Sequence, residues 1–101
     1  MDEKARAQAP PQNLDAEASL LGGLLIDGSA FVKIADSLVP DDFFNEQHRL
    51  IFGAMRILHD KRSPIDILTL SEQLKGSDQL DRVGGASYLT QLTAQVPTSK
   101  S

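Results

Sequence analysis

The stretch from Asp42 to Lys61 carries the strongest pattern of apolar and polar positions in the chain. Wound at about 100° per residue, it puts His48, Ile51, Phe52, Met55 and Leu58 on one side of a helix. Leu50, Ala54 and Ile57 fall beside them, and Asn45, Glu46, Arg49, Gly53, Arg56 and Asp60 fill the rest. The apolar arc is roughly 220° wide, against the ~100° stripe of an ordinary surface helix, so neighbours must cover it on two sides. This predicts a central helix over about residues 45–60, with Asn45 as its N-cap.

Weaker patterns flank it. Asn13 reads as the N-cap of a first helix, with Asp15 and Glu17 in the first turn, where carboxylates favour the helix dipole. Leu14, Ala18, Leu21 and Leu25 make its apolar stripe, with Leu20 and Leu24 alongside. It should stop near Ile26, with Gly28 supplying the break. Gly22 and Gly23 sit inside this helix, where each costs up to ~1 kcal/mol relative to alanine. Close approach of another helix is the usual compensation, so a crossing helix from this chain or a second subunit is expected against the pair. Gly22→Leu should then disturb folding or pairing.

Ser29 is the next cap signal. Phe31, Ile34 and Leu38 predict a short amphipathic helix stopped by Pro40. Lys61-Arg62-Ser63-Pro64 ends the central helix, because the residue before proline is pushed out of the α region. Thr69 to Glu72 fits a capping box for the next helix, with Leu70 and Leu74 facing the core and Gly76 closing it. Asp66 is the alternative cap, three residues sooner. Asp78 to Val83 reads as a helical turn or two burying Leu80 and Val83, and Gly84-Gly85 as a hinge-like break. A last helix over Ala86 to Val96 carries Tyr88, Leu89, Leu92 and Val96 on one face. The expected fold is all-α, a compact orthogonal bundle of about five or six helices around the central one. Residues 1–12, which end in Pro10-Pro11, read as a disordered leader, 13–97 as the helical domain, and 98–101 as the start of a truncated linker.

The 101 residues suit one domain. The formal net charge is -4, and the ten basic residues form no stripe. That is a poor basis for sequence-independent DNA binding, which needs clustered Lys and Arg. No run of residues is long and apolar enough to span a membrane, and no apolar signal region opens the chain; the expectation is cytoplasmic. With no cysteine, thiolate catalysis and cysteine-held zinc are excluded.

No catalytic constellation emerges. His48 and His59 lie on one helix about 16 Å apart and share no metal. His48 reads as an edge-of-core residue donating one hydrogen bond. Asp41-Asp42 and Asp78/Asp81 flank helix starts, where capping accounts for them. Neither Gly22-Gly23 nor Gly84-Gly85 precedes Gly-Lys-Ser/Thr, so neither is a phosphate loop. The expectation is no metal, cofactor or catalytic residue, and a function in binding and assembly. Candidate interaction residues are the exposed arc around Arg49 and Arg56 and the close-packing pair Gly22 and Gly23.

Several runs resemble one family. Pro11-Gln12-Asn13-Leu14-Asp15-Ala16-Glu17-Ala18-Ser19-Leu20-Leu21-Gly22-Gly23-Leu24-Leu25-Ile26-Asp27 is similar to the opening of the bacterial replicative DNA helicase, the DnaB type. So are Asp42-Phe43-Phe44, His48-Arg49-Leu50-Ile51-Phe52 and Pro64-Ile65-Asp66-Ile67-Leu68-Thr69-Leu70, then Leu80 to Leu92 and Val96-Pro97-Thr98. These blocks keep the family's order and spacing from about Pro11 onward. Phe44 stands where the family commonly has tyrosine.

The resemblance implies an all-α N-terminal domain without ATPase chemistry. It implies self-association, as a dimer here and a hexamer in the full-length parent. It also implies recruitment of primase and of a loader or initiator. ATP and Mg belong to a separate RecA-like motor of the parent, an ATP-dependent 5'-3' DNA helicase, and neither that motor nor the family's long helical hairpin lies in this sequence. The alternative class is a stand-alone helical DNA-binding regulator or replication adaptor, which short helices with small turns permit and the acidic charge opposes.

Overall fold

Two asparagines start two helices as their side chains predict. Asn13 accepts the Ala16 N–H at 3.1 Å and opens α1, Leu14–Ile26; Asn45 accepts the His48 N–H at 3.2 Å and opens α3, Glu46–Asp60. The structure is a computed structural model describing residues 13–96. Within them, α2 is Phe31–Ile34, α4 is Ile67–Gly76 and α5 is Gly85–Ala94, and 3-10 turns cover Gly28–Ala30, Pro40–Asp42 and Asp81–Val83. The regular secondary structure of the described residues is all helical, as expected, while the expected leader at 1–12 and linker start at 98–101 lie outside them.

Helix α3 packs against α4 on one side and α1 on the other, and α5 closes the bundle against α1 and α4. The expected face of α3 is buried: His48, Ile51, Phe52, Met55 and Leu58, with Ala54 beside them. Phe52 sits between Phe31 and Phe43 with ring centroids 5.2 and 5.0 Å away. Ile57, at the edge of the arc, stays exposed, as does Leu14 at the start of the α1 stripe.

Several local expectations are corrected. The α4 cap is Asp66, not Thr69: Asp66 accepts the Thr69 N–H at 2.9 Å, and the Thr69 hydroxyl accepts the Asp66 N–H at 3.0 Å. That box wins because Thr69 Oγ1 also donates to the Pro64 carbonyl at 2.8 Å, tying the link to the helix. Ser29 caps nothing; it lies inside a 3-10 turn and donates to Asp27 Oδ1 at 2.6 Å. The helix expected after it is only four residues long, and Pro40 begins a 3-10 turn of its own.

Gly28 is not a left-handed break. A Cβ there would lie 2.6 Å from the Ile65 carbonyl oxygen, so close approach of the α3–α4 link is what requires glycine. Helix α4 is closed not by Gly76 but by Asp78, left-handed at φ 63, with Gln79 N–H donating to Leu74 O and Asp78 N–H to Lys75 O. Arg62, at φ 62, closes α3 in the same way: Ser63 N–H donates to Leu58 O and Arg62 N–H to His59 O.

Candidate functional site

Gly22 is buried against α5: a Cβ would stand 2.0 Å from the Leu92 carbonyl oxygen. Gly23 faces the other way, and a Cβ there meets nothing within 4 Å. The crossing helix expected against the pair therefore lies against Gly22 alone, and it comes from this chain. The two arginines are half-buried and occupied. Arg49 donates to the Phe43 and Phe44 carbonyls, each at 2.9 Å. Arg56 donates to the Ala35 and Leu38 carbonyls, each at 2.7 Å, and its guanidinium lies 5.9 Å over the Phe52 ring.

The densest chemistry is a polar relay that joins three helices. His48 is only 1% exposed, so it is a core residue rather than one at the core's edge. Its Nδ1 lies 2.8 Å from Glu17 Oε1 on α1, and its Nε2 lies 2.6 Å from the Tyr88 hydroxyl on α5. Glu17 also accepts the Phe44 N–H on Oε2 at 2.7 Å and the Asn45 N–H on Oε1 at 3.4 Å. An ionised carboxylate only accepts, so the network assigns the proton of His48 to Nδ1. On the neutral imidazole Nε2 is the acceptor, and Tyr88 donates its O–H to it. Every polar atom of the relay is partnered without a charge on the imidazole.

Hydroxyl, imidazole and carboxylate in sequence match the connectivity of a nucleophile, its base and an orienting acid. The physical setting opposes that role. Burial, and after it the Glu17 carboxylate, push the Tyr88 hydroxyl above its ordinary pKa, which disfavours the phenolate a nucleophile requires. The imidazole is buried from solvent, and both its nitrogens are occupied within the fold. The relay is a clamp: it fixes α1, the start of α3 and α5 with charge-assisted bonds.

Sequence reasoning placed His48 in the apolar arc and Glu17 in a helix's first turn but did not connect them. Their separation along the chain leaves no local signal. Among the described residues no group of three or more His, Cys, Asp or Glu side chains is arranged to hold a metal ion, and no helix is long and apolar enough to cross a membrane. Arg82 of the turn before α5 pairs with Glu46, both well exposed, which contributes little to stability.

Comparison with known proteins places these features in a family. The DnaB-like helicase N terminal domain matches residues 9–101. Replicative DNA helicase DnaC of Bacillus subtilis is 38% identical over 99 residues, 98% of this chain and 22% of that protein. Replicative DNA helicase DnaB of Buchnera aphidicola subsp. Schizaphis graminum is 44% identical over 94 residues, 93% of this chain and 20% of that protein. The chain thus spans about a fifth of the length of the curated relatives it matches. The crystal structure of the N-terminal domain of DnaB helicase from Mycobacterium tuberculosis is similar at a TM-score of 0.83 and 38% identity, over 89% of this chain and 62% of that one.

Proposed function

The chain belongs to the DnaB-like helicase N-terminal domain family, and from that premise we propose that it is the assembly and partner-docking domain of a replicative DNA helicase that unwinds DNA at the bacterial replication fork. The observation that carries this reading is the extent of the match. It covers residues 9–101 of this chain yet only about a fifth of each helicase relative. A piece of that size, whose hydroxyl–imidazole–carboxylate relay is a buried clamp, fits recruitment better than turnover. ATP, Mg and strand movement belong in this reading to the remaining length of the parent. This domain pairs with a second copy and receives primase and a loader or initiator.

The described surface supplies material for such contacts. Ile26, Val32, Phe44 and Leu68 are each at least 60% exposed. Sedimentation equilibrium of the 101-residue chain across the micromolar range should show a concentration-dependent dimer. Immobilised chain should capture the cognate primase or loader and leave single-stranded DNA unbound at physiological salt. A strict monomer that captures neither protein refutes the proposal. A gel shift that weakens steeply with salt would favour the DNA-binding regulator in its place.

A further inference from the structure

A groove of about 480 Å³ opens between α2, the 3-10 turn before it and the link that follows α3. Val32, Pro64 and Ile65 supply its apolar lining, and His59 and Arg62 line it as well. Its volume falls within the ~300–1,000 Å³ of ordinary ligand pockets. Three features give it a chemical preference. Part of the lining is apolar, with Ile65 buried and Val32 62% exposed. The only titratable side chains in the lining are basic, although the chain as a whole carries a net charge of -4.

The third feature is Arg62 itself. It occupies the left-handed position that closes α3, at φ 62, where glycine is the unstrained residue. A long cation there costs backbone energy and returns no ion pair: Arg62 is exposed, and among the described residues no carboxylate pairs with its guanidinium. Its backbone is nevertheless fixed, by the Ser63 and Arg62 N–H bonds to Leu58 and His59. The result is an exposed cation on a hydrogen-bonded turn beside an apolar trough. The rest of this acidic chain repels an acidic partner, and this trough attracts one, which supplies register as well as affinity.

We propose that this groove docks an acidic peptide segment of a partner protein, with one apolar side chain on Val32 and Ile65 and a flanking carboxylate on Arg62. The planar guanidinium fork suits a carboxylate held by two bonds. The inference rests on the partner-docking reading and gives that reading a site.

The test is fluorescence anisotropy of the 101-residue chain with a labelled acetyl-Asp-Glu-Leu-Phe-Asp-Glu-amide probe, beside a probe with lysine at every acidic position. The acidic probe should bind saturably and the lysine probe should not. Arg62→Glu should weaken binding by about tenfold or more. Arg62→Gly relieves the left-handed backbone, so it should weaken binding comparably with an unchanged or raised Tm, which removes misfolding as the cause. Val32→Ser should weaken it through the apolar lining.

No saturable binding, equal binding of the two probes, or all three variants within about twofold of the natural chain overturns the proposal. So does displacement of the probe by a single-stranded oligonucleotide, which would assign the groove to nucleic acid. Self-association and primase or loader capture, measured on the same samples, separate the two readings. If they persist without peptide binding, the groove is refuted and the domain's role is not.

Discussion

Two neighbouring glycines in α1 should respond to the same substitution with opposite signs. A Cβ at Gly22 would lie 2.0 Å from the Leu92 carbonyl oxygen, 2.7 Å from the Leu92 carbonyl carbon and 2.8 Å from Val96 Cγ2. Ordinary contact begins at 3.4 Å, so α5 would have to retreat by over an ångström. The two nearest obstructing atoms are backbone, so no rotamer change relieves them, and retreat loosens the buried Leu89 and Leu92. Overpacking of this kind costs ~1–3 kcal/mol, and helix propensity returns up to ~1 kcal/mol of it. We expect Gly22→Ala to lose about 1–2 kcal/mol net, a Tm lower by about 4–16 °C at ~4–8 °C per kcal/mol.

Gly23→Ala meets nothing within 4 Å and keeps only the propensity gain of up to ~1 kcal/mol, so its Tm should rise by a few degrees. Thermal melts by circular dichroism, with urea midpoints as a second measure, read both. Gly22→Ala melting at or above the natural chain refutes the close contact. Gly23→Ala falling as far as Gly22→Ala refutes the assignment of the contact to Gly22 alone.

The clamp predicts a pH signature. The Tyr88 pKa is raised by burial and then by Glu17, so the folded protein keeps the phenolic proton after the unfolded chain has lost it. Stability from this group is intact below about pH 10 and falls as pH rises from there through the folded-state pKa. Tyr88→Phe should lessen that fall and also cost ~1–2 kcal/mol at neutral pH, since His48 Nε2 loses its donor; urea midpoints across a pH series, with the same alkaline slope in both proteins, would disprove it. Asp66→Ala should cost ~1 kcal/mol by removing the α4 cap, whereas Glu72→Ala should stay within about 0.5 kcal/mol; reversed effects in chemical denaturation would restore the Thr69 box. Arg56→Ala should cost ~1–3 kcal/mol because the Ala35 and Leu38 carbonyls lose their shared donor, and a Tm unchanged within error would show that water replaces it.

What was legible in the sequence was local or periodic. Asn13 and Asn45 cap helices through bonds to residues three positions on, and a reader of sequence sees both partners. The buried faces of α1, α3, α4 and α5 follow from spacing, because a helix repeats its side chains on a fixed angle. The clamp was not legible. Asp15 and Glu17 stand alike in the first turn of α1, and only the packing of α1 against α3 selects Glu17 to meet Phe44, Asn45 and His48. The pair Gly22-Gly23 signalled a close contact, but which of two successive residues makes it depends on the direction from which α5 arrives. For α4, two residues of capping type stood three apart, and the Pro64 carbonyl, bonded by Thr69, decided between them.

Arg49 and Arg56 show where a helical wheel stops informing. The wheel identifies residues outside the core, yet a long guanidinium side chain on that arc still reaches back toward the fold. Here it reaches irregular backbone. The chain between α2 and α3 has carbonyls without a helical partner, and buried carbonyls need donors. Arg56 serves Ala35 and Leu38, and Arg49 serves Phe43 and Phe44, so each side chain anchors a stretch of that connection to the central helix. A partner that recruits either guanidinium must supply acceptors to replace two charged bonds, each worth ~1.5–3 kcal/mol. Arg62 carries no such commitment among the described residues. An acidic partner meeting this domain therefore engages Arg62 beside the groove at lower cost than the arc of α3 to which periodicity first points.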